Sequence, residues 1–188
     1  SGCPDRPQMA GTAGWPQPGR RVAVLNEDGE PVPRGTVGVL AVHGSDPGVM
    51  LGYLGDAAAT AARYRGAWFV TGDLAVMTEE SAIRYAGRAD DLMNAGGFRV
   101  SPLEVEAAMA GCAGVVECAV TEVEVKAGVR VIGFFYVAHN PIDEAALMAH
   151  ATGCLARYKQ PRLWVRVDAL PRAANNKLNR RALLGLVP

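Results

Sequence analysis

Through the first half of the chain, apolar residues come in short runs broken by glycine, proline and polar clusters. Residues 22–25 and 37–42 read as strands, with Asn26-Glu27-Asp28-Gly29-Glu30 as a turn after the first. The alanine-rich stretch 56–63 reads as a short helix, and residues 68–70, 74–77 and 83–85 as three more strands. This half is expected to be mostly antiparallel β. Residues 1–20 are rich in glycine and proline and lack periodicity, so they are expected to form a loop lying against something else.

The rhythm changes near residue 90. The Gly96-Gly97 pair separates Leu92-Met93 from Phe98-Arg99-Val100, which predicts a tight hairpin. Ser101 then stands as an N-cap, Pro102 as the first helical residue, and Glu104 as the acidic partner of a capping box. A helix over 102–110, a long strand pair over 115–125 and 129–139, a helix over 143–155, a strand over 163–167 and a short helix over 180–184 follow. In Val115-Val116-Glu117-Cys118-Ala119-Val120, valine alternates with polar residues, so one strand face meets a core and the other lies near water or helices. The fold class predicted is α+β.

Composition narrows the function. The 188 residues suit one or two domains, and 49% hydrophobic with 20% charged residues fits a globular chain. Lysine plus arginine equals aspartate plus glutamate at 19 each, so no global field favours nucleic acid or an anionic membrane surface. The four cysteines, Cys3, Cys112, Cys118 and Cys154, form no C-x-x-C, and the three histidines form no H-x-x-x-H; reduced thiols and no metal site are expected. Cys112, Cys118 and Cys154, flanked by small residues, read as core positions. The longest apolar run, 128–139, is broken by Arg130 and falls short of the roughly 20 residues needed to span a bilayer. With no basic and apolar leader, a cytoplasmic setting is expected.

Four blocks in order carry a more specific signal: Trp68-Phe69-Val70-Thr71-Gly72-Asp73-Leu74, the hinge-like stretch from Gly87 to Glu106, Tyr158-Lys159-Gln160-Pro161, and Leu170 to Arg180. Together they resemble the AMP-forming acyl-CoA synthetases, in the adenylate-forming superfamily that holds firefly luciferase and the adenylation domains of peptide synthetases. The resemblance implies that residues 1–89 are the β-rich end of a large N-terminal domain, and that residues 90–188 are its small mobile C-terminal domain, hinged at Asp90. The wording Gly11-Thr12-Ala13-Gly14-Trp15-Pro16 and Tyr85-Ala86-Gly87-Arg88 also resembles aryl-CoA ligases.

The same resemblance implies roles. Asp73 and Arg88 would face the ribose of ATP or the adenylate, Arg99 a phosphate, and Lys177 the carboxylate and α-phosphate during adenylation. Gly97 would leave room for the pantetheine thiol; Tyr158, Lys159 and Pro161 belong to a block that reads first as setting the geometry of the last strand, from which Lys159 could also meet a coenzyme A phosphate. Magnesium would accompany ATP. Each residue has a plain alternative: Asp73 as a turn residue capping local amides, Arg88 as a surface partner of Asp91, Asp90 as a solvated turn residue, Gly97 as a turn glycine, and Arg99 and Lys177 as solvated cations. Where the family usually has Thr-Gly, this chain has Asn175-Asn176; asparagine tolerates the left-handed region best after glycine.

No Ser/Thr/Gly-rich phosphate loop or G-x-x-x-x-G-K-[ST] is present. The reading is therefore the C-terminal portion of an ATP-dependent carboxylic acid:CoA ligase, inactive alone, whose partners are the acid, ATP, coenzyme A and a missing N-terminal domain. Its first half is expected to be loosened, and its apolar strands to be a surface for self-association. Two other readings stand beside it: an amino-acid adenylation domain that loads a carrier protein, and a non-catalytic module that binds nucleotide or protein.

Overall fold

The computed structural model describes residues 9–187, so the expectations for residues 1–8, Cys3 among them, lie outside the described residues. The chain divides after Asp90 into two compact units, Ser1–Asp90 and Asp91–Pro188. A single 3-10 turn, Ala89–Asp91, carries the chain across the boundary.

The first unit is built on one antiparallel sheet. Its elements are β1 (Val22–Leu25), β2 (Val37–His43), α1 (Ala57–Ala61), β3 (Tyr64–Arg65), β4 (Trp68–Met77) and β5 (Ile83–Arg88). The order is β1-β2-β4, and β3 and β5 both pair with the remaining edge of β4, at Trp68-Phe69 and at Asp73 to Met77. Ala23, Leu25 and Ala41 form its core, with Trp68 and Val70 packed against them. Glycine at 38 is what lets β1 and β2 close up: a Cβ there would stand 2.4 Å from the Leu25 carbonyl oxygen. The described part of the N-terminal loop lies along β5, with Ala13 donating to Ile83 O and Ile83 donating to Gly14 O, each at 2.8 Å.

One expectation is corrected here. Residues 68–70 and 74–77 are not two strands but parts of β4. Ala41 pairs with Val70 and Val39 with Leu74, so the single residue Leu40 faces Thr71, Gly72 and Asp73. The Thr-Gly-Asp triplet is thus a bulge inside a strand and not a turn between strands.

The second unit begins with the hairpin β6 (Met93–Ala95) and β7 (Phe98–Val100), then α2 (Pro102–Met109), β8 (Glu117–Lys126), β9 (Val129–Val137), α3 (Glu144–Cys154), β10 (Leu163–Arg166) and α4 (Arg180–Leu183). Its main sheet runs β10-β9-β8. β8 and β9 are antiparallel, whereas β10 returns parallel to β9 after the α3 crossover. The run Ile132 to Tyr136 is buried at every position because both faces of β9 are covered. On one face Val120, Phe134 and Tyr136 meet Val105 and Met109 of α2 and Leu147 and Ala151 of α3. On the other, Ala119, Val123, Phe135 and Val165 meet Leu170 and Leu183.

The capping box expected at α2 is not made. Ser101 holds the N-cap position without a side-chain capping bond, and the Glu104 carboxylate is drawn instead to Lys159. No helix among the described residues is long and apolar enough to cross a membrane.

The two units have separate cores, so a cavity in one should be felt in that one. Phe134 is fully buried, and Phe134→Ala is expected to destabilise the second unit by about 3–5 kcal/mol. In a urea titration followed by amide NMR, β8, β9 and β10 should melt early while β1, β2 and β4 keep their midpoint. Equal early loss in both units would contradict this division.

Candidate functional site

The bulge in β4 sets the geometry of the first-unit site. Thr71 Oγ1 donates to Leu40 O at 2.8 Å and accepts from the Asp73 amide at 3.1 Å, so one hydroxyl pins the bulge to β2 and fixes the Asp73 backbone. Gly72 has φ +81°, and a Cβ there would lie 3.0 Å from Arg88 Nη2 and 3.3 Å from Arg63 Nη1. Only glycine meets both demands.

Across the ladder, β5 places Arg88 opposite Asp73. Arg88 Nη1 donates to Asp73 Oδ1 at 3.0 Å. Its other edge forks onto Asp90, Nε to Oδ1 at 3.0 Å and Nη2 to Oδ2 at 3.4 Å. These bonds, Asp90 first, raise the Arg88 pKa above the ordinary guanidinium value against the opposing effect of burial, so the group is a permanent cation. Asp73 Oδ2 accepts no hydrogen bond from a described residue, and the side chain is 34% exposed. The result is a carboxylate with one oxygen clamped and one presented, suited to accepting hydrogen bonds from adjacent hydroxyls. The alternative pairing of Arg88 with Asp91 is not formed: Asp91 lies 3.5 Å from Arg180 Nε.

Within the second unit, Gly96 and Gly97 have φ +61° and +86° and form the two-residue turn between Ala95 and Phe98. A Cβ at Gly97 would meet nothing within 4 Å, so the turn torsion alone requires glycine inside this chain. Arg99 is exposed on β7. Phe98 beside it packs on Tyr158 with ring centroids 4.5 Å apart and the rings tilted by 31°, which brings the hairpin next to Lys159. Lys159 pairs with Glu104, and that hydrogen bond raises its pKa.

Lys177 sits on a separate loop. Ala173 donates to Lys177 O at 2.8 Å and Asn179 to Pro171 O at 2.8 Å, closing a small hairpin. Asn176 takes φ +62°, and Asn175 Oδ1 accepts from the Lys177 amide at 3.2 Å, so the two asparagines build the turn. The exposed Lys177 ammonium bonds to no described residue.

The structure therefore joins Asp73, Arg88 and Asp90 in one unit, and the hairpin of Gly97 and Arg99 with Lys159 in the other. Sequence reasoning passed over Thr71 as a pin and Arg63 as a second guanidinium beside Gly72. It also passed over Glu106 as the partner of Arg180, 74 residues away. Among the described residues no three His, Cys, Asp or Glu side chains cluster to hold a metal ion.

Comparison with known proteins shows the family. Residues 104–177 match the family described as AMP-binding enzyme C-terminal domain, and residues 2–54 match the AMP-binding enzyme family. Benzoate–CoA ligase of Thauera aromatica is 37% identical over 90% of this chain and 33% of its own length. For 2-succinylbenzoate–CoA ligase of Geobacillus kaustophilus the figures are 38%, 95% and 36%. The crystal structure of ATP-bound MatB from Rhodopseudomonas palustris superposes with a TM-score of 0.88 at 33% identity, over 96% of this chain and 36% of that one. The chain belongs to the AMP-binding, adenylate-forming enzymes.

It spans about a third of the length of the curated relatives it matches. The two matched segments fall in different units, and the β4 bulge, Arg88 and the Gly96-Gly97 hairpin lie between them.

The thiols correct one expectation: Cys112 is buried and Cys118 half-buried, but Cys154 is exposed on the last turn of α3. Burial, reinforced by Glu106 and Glu117, pushes the Cys118 pKa up to about 11. Because the thiolate is the nucleophile and a raised pKa suppresses it, iodoacetamide at pH 8 should leave Cys118 intact, whereas Cys154, exposed to solvent, should be labelled before the buried Cys112. The folded pKa of Cys118 exceeds the ordinary thiol value of 9.0, so its contribution to stability should be complete below pH 9 and fade as pH rises towards 11. Rapid labelling of Cys118 at pH 8 in the folded chain, read by peptide mass spectrometry, would contradict its placement. For the bulge, Gly72→Ala forces a side chain into a left-handed, occupied position, at an expected cost of about 1–2 kcal/mol in urea denaturation; an unchanged midpoint would contradict it.

Proposed function

We propose that this chain is the portion of an ATP-dependent carboxylic acid:CoA ligase that holds the nucleotide ribose and brings the mobile catalytic elements to it. The observation that carries the reading is the half-clamped Asp73 carboxylate on the β4 bulge, with Arg88 fixed behind it. The ligase names of its relatives support the class.

In the first half-reaction, a carboxylate oxygen of the acid bonds to the α-phosphorus of ATP while the bond to pyrophosphate breaks. Asp73 Oδ2 accepts from the ribose hydroxyls and Arg88, bonded to Oδ1, holds that carboxylate in orientation. The unpaired ammonium of Lys177 balances the negative charge that builds on the phosphoryl oxygens, a stabilisation realised in the transition state. A magnesium ion carried in on the triphosphate would screen its charge.

In the second half-reaction, the thiol sulfur of coenzyme A bonds to the acyl carbon, the bond to the AMP oxygen breaks, and the thiol proton leaves to solvent. The open turn at Gly97 admits the pantetheine arm, with Arg99 and Lys159 as cations for phosphates. Asp90, at the boundary of the two units, is the residue whose torsions change between the half-reactions.

The test uses the chain extended upstream to the length of its relatives. Lys177→Ala should slow acid-dependent ATP–pyrophosphate exchange about a hundred- to thousandfold, yet spare thioester formation from supplied acyl-adenylate. Gly97→Trp should do the reverse. Equal loss of both half-reactions in both variants would overturn the assignment of separate roles.

A further inference from the structure

Arg180 opens α4 three residues after Lys177, and its side chain turns inward: it is 15% exposed and Glu106 13%. Nη2 donates to Glu106 Oε2 at 3.0 Å while Nη1 donates to Oε1. Nη1 also donates to Val120 O at 3.0 Å, and Nε lies 3.5 Å from Asp91 Oδ2. Glu106 Oε1 accepts from the Val120 amide at 2.7 Å, so α4, α2 and β8 are closed into one ring of hydrogen bonds. A forked guanidinium fits this ring and a lysine does not.

The Lys177 loop begins and ends in ion pairs. At its start Arg172 reaches Asn176 O at 3.0 Å and pairs with Glu117. Both members of that pair are 41% exposed, and exposed pairs contribute little. At its end stands the Arg180–Glu106 fork, far less exposed, where loss of one partner leaves a half-buried charge without its counterion. Between them the loop carries its own bonds, Ala173 N to Lys177 O and Asn176 N to Ala173 O, each 2.8 Å, so its turn is tied internally.

We propose that Arg180 is a positioning residue that anchors the Lys177 loop to α2 and β8 through the fork on Glu106, so that the loop keeps one geometry when the unit moves. The inference rests on the reading of Lys177 as the adenylation lysine, but the anchor itself can be tested without it.

Amide hydrogen exchange on the chain is measured for wild type, Arg180→Lys, Glu106→Gln and, as the control, Arg172→Gln. Arg180→Lys should speed exchange at Ala173, Asn176 and Asn179 by about tenfold or more, with the Phe134 and Phe135 amides of β9 unchanged. Glu106→Gln, which keeps an acceptor for the Val120 amide, should give a smaller increase at the same amides and carries the test if Arg180→Lys does not fold. Arg172→Gln should change them least.

In the upstream-extended protein, Arg180→Lys should lower the adenylation kcat about tenfold at unchanged KM for ATP and leave thioester formation from supplied adenylate within about twofold. Wild-type exchange in both Arg180→Lys and Glu106→Gln overturns the anchor. Faster loop exchange with unaltered adenylation leaves the anchor standing and overturns the role of Lys177.

Discussion

Three residues of β4 facing one residue of β2 is the constraint on which the first unit's chemistry depends. A regular ladder would alternate Thr71, Gly72 and Asp73 across the sheet and bury or expose them by parity. The bulge removes that parity, and the Thr71 hydroxyl keeps it from relaxing by bonding both strands. Glycine is required at its centre by torsion and by the two guanidinium groups beside it. Arg88 then locks the exit, since one planar group satisfies Asp73 on one edge and Asp90 on the other. A presented carboxylate oxygen is the product of all of these restraints and of none alone.

The second unit meets a different requirement. It is a platform whose sheet is covered on both faces, with the hairpin and the lysine loop projecting from it. The hairpin owes its turn to two glycines in the left-handed region and the loop owes its turn to Asn176, so the departure from Thr-Gly is absorbed without opening the loop. The forces holding the projections differ: aromatic packing of Phe98 on Tyr158 for one, the half-buried fork of Arg180 on Glu106 for the other.

Much of this was legible in the sequence where a local rule decides it. Each predicted strand and helix of the second unit is present, because its apolar runs are long and bounded by turn residues. The bulge was not legible, since a break in alternation reads alike for a bulge and a turn until the partner strand is known. Nor was the loss of the capping box, because Glu104 was free to choose Lys159, 55 residues on. Arg63 and the Glu106–Arg180 fork carry no local signal: they come from the register of strands and the packing of α4, and only topology brings them together. The exposed Cys154 failed for a related reason, as small neighbours mark a tolerant helix face as readily as a core.

The claim at the centre is that Asp73 holds the nucleotide by its ribose hydroxyls. The most direct measurement compares ATP with 2′,3′-dideoxy-ATP as substrates of the upstream-extended protein, in wild type and in Asp73→Ala. Wild type should prefer ATP by about ten- to a hundredfold in kcat/KM, the discrimination that one or two hydrogen bonds to a charged acceptor supply, and Asp73→Ala should lose most of that preference. The same preference in both proteins would contradict the account.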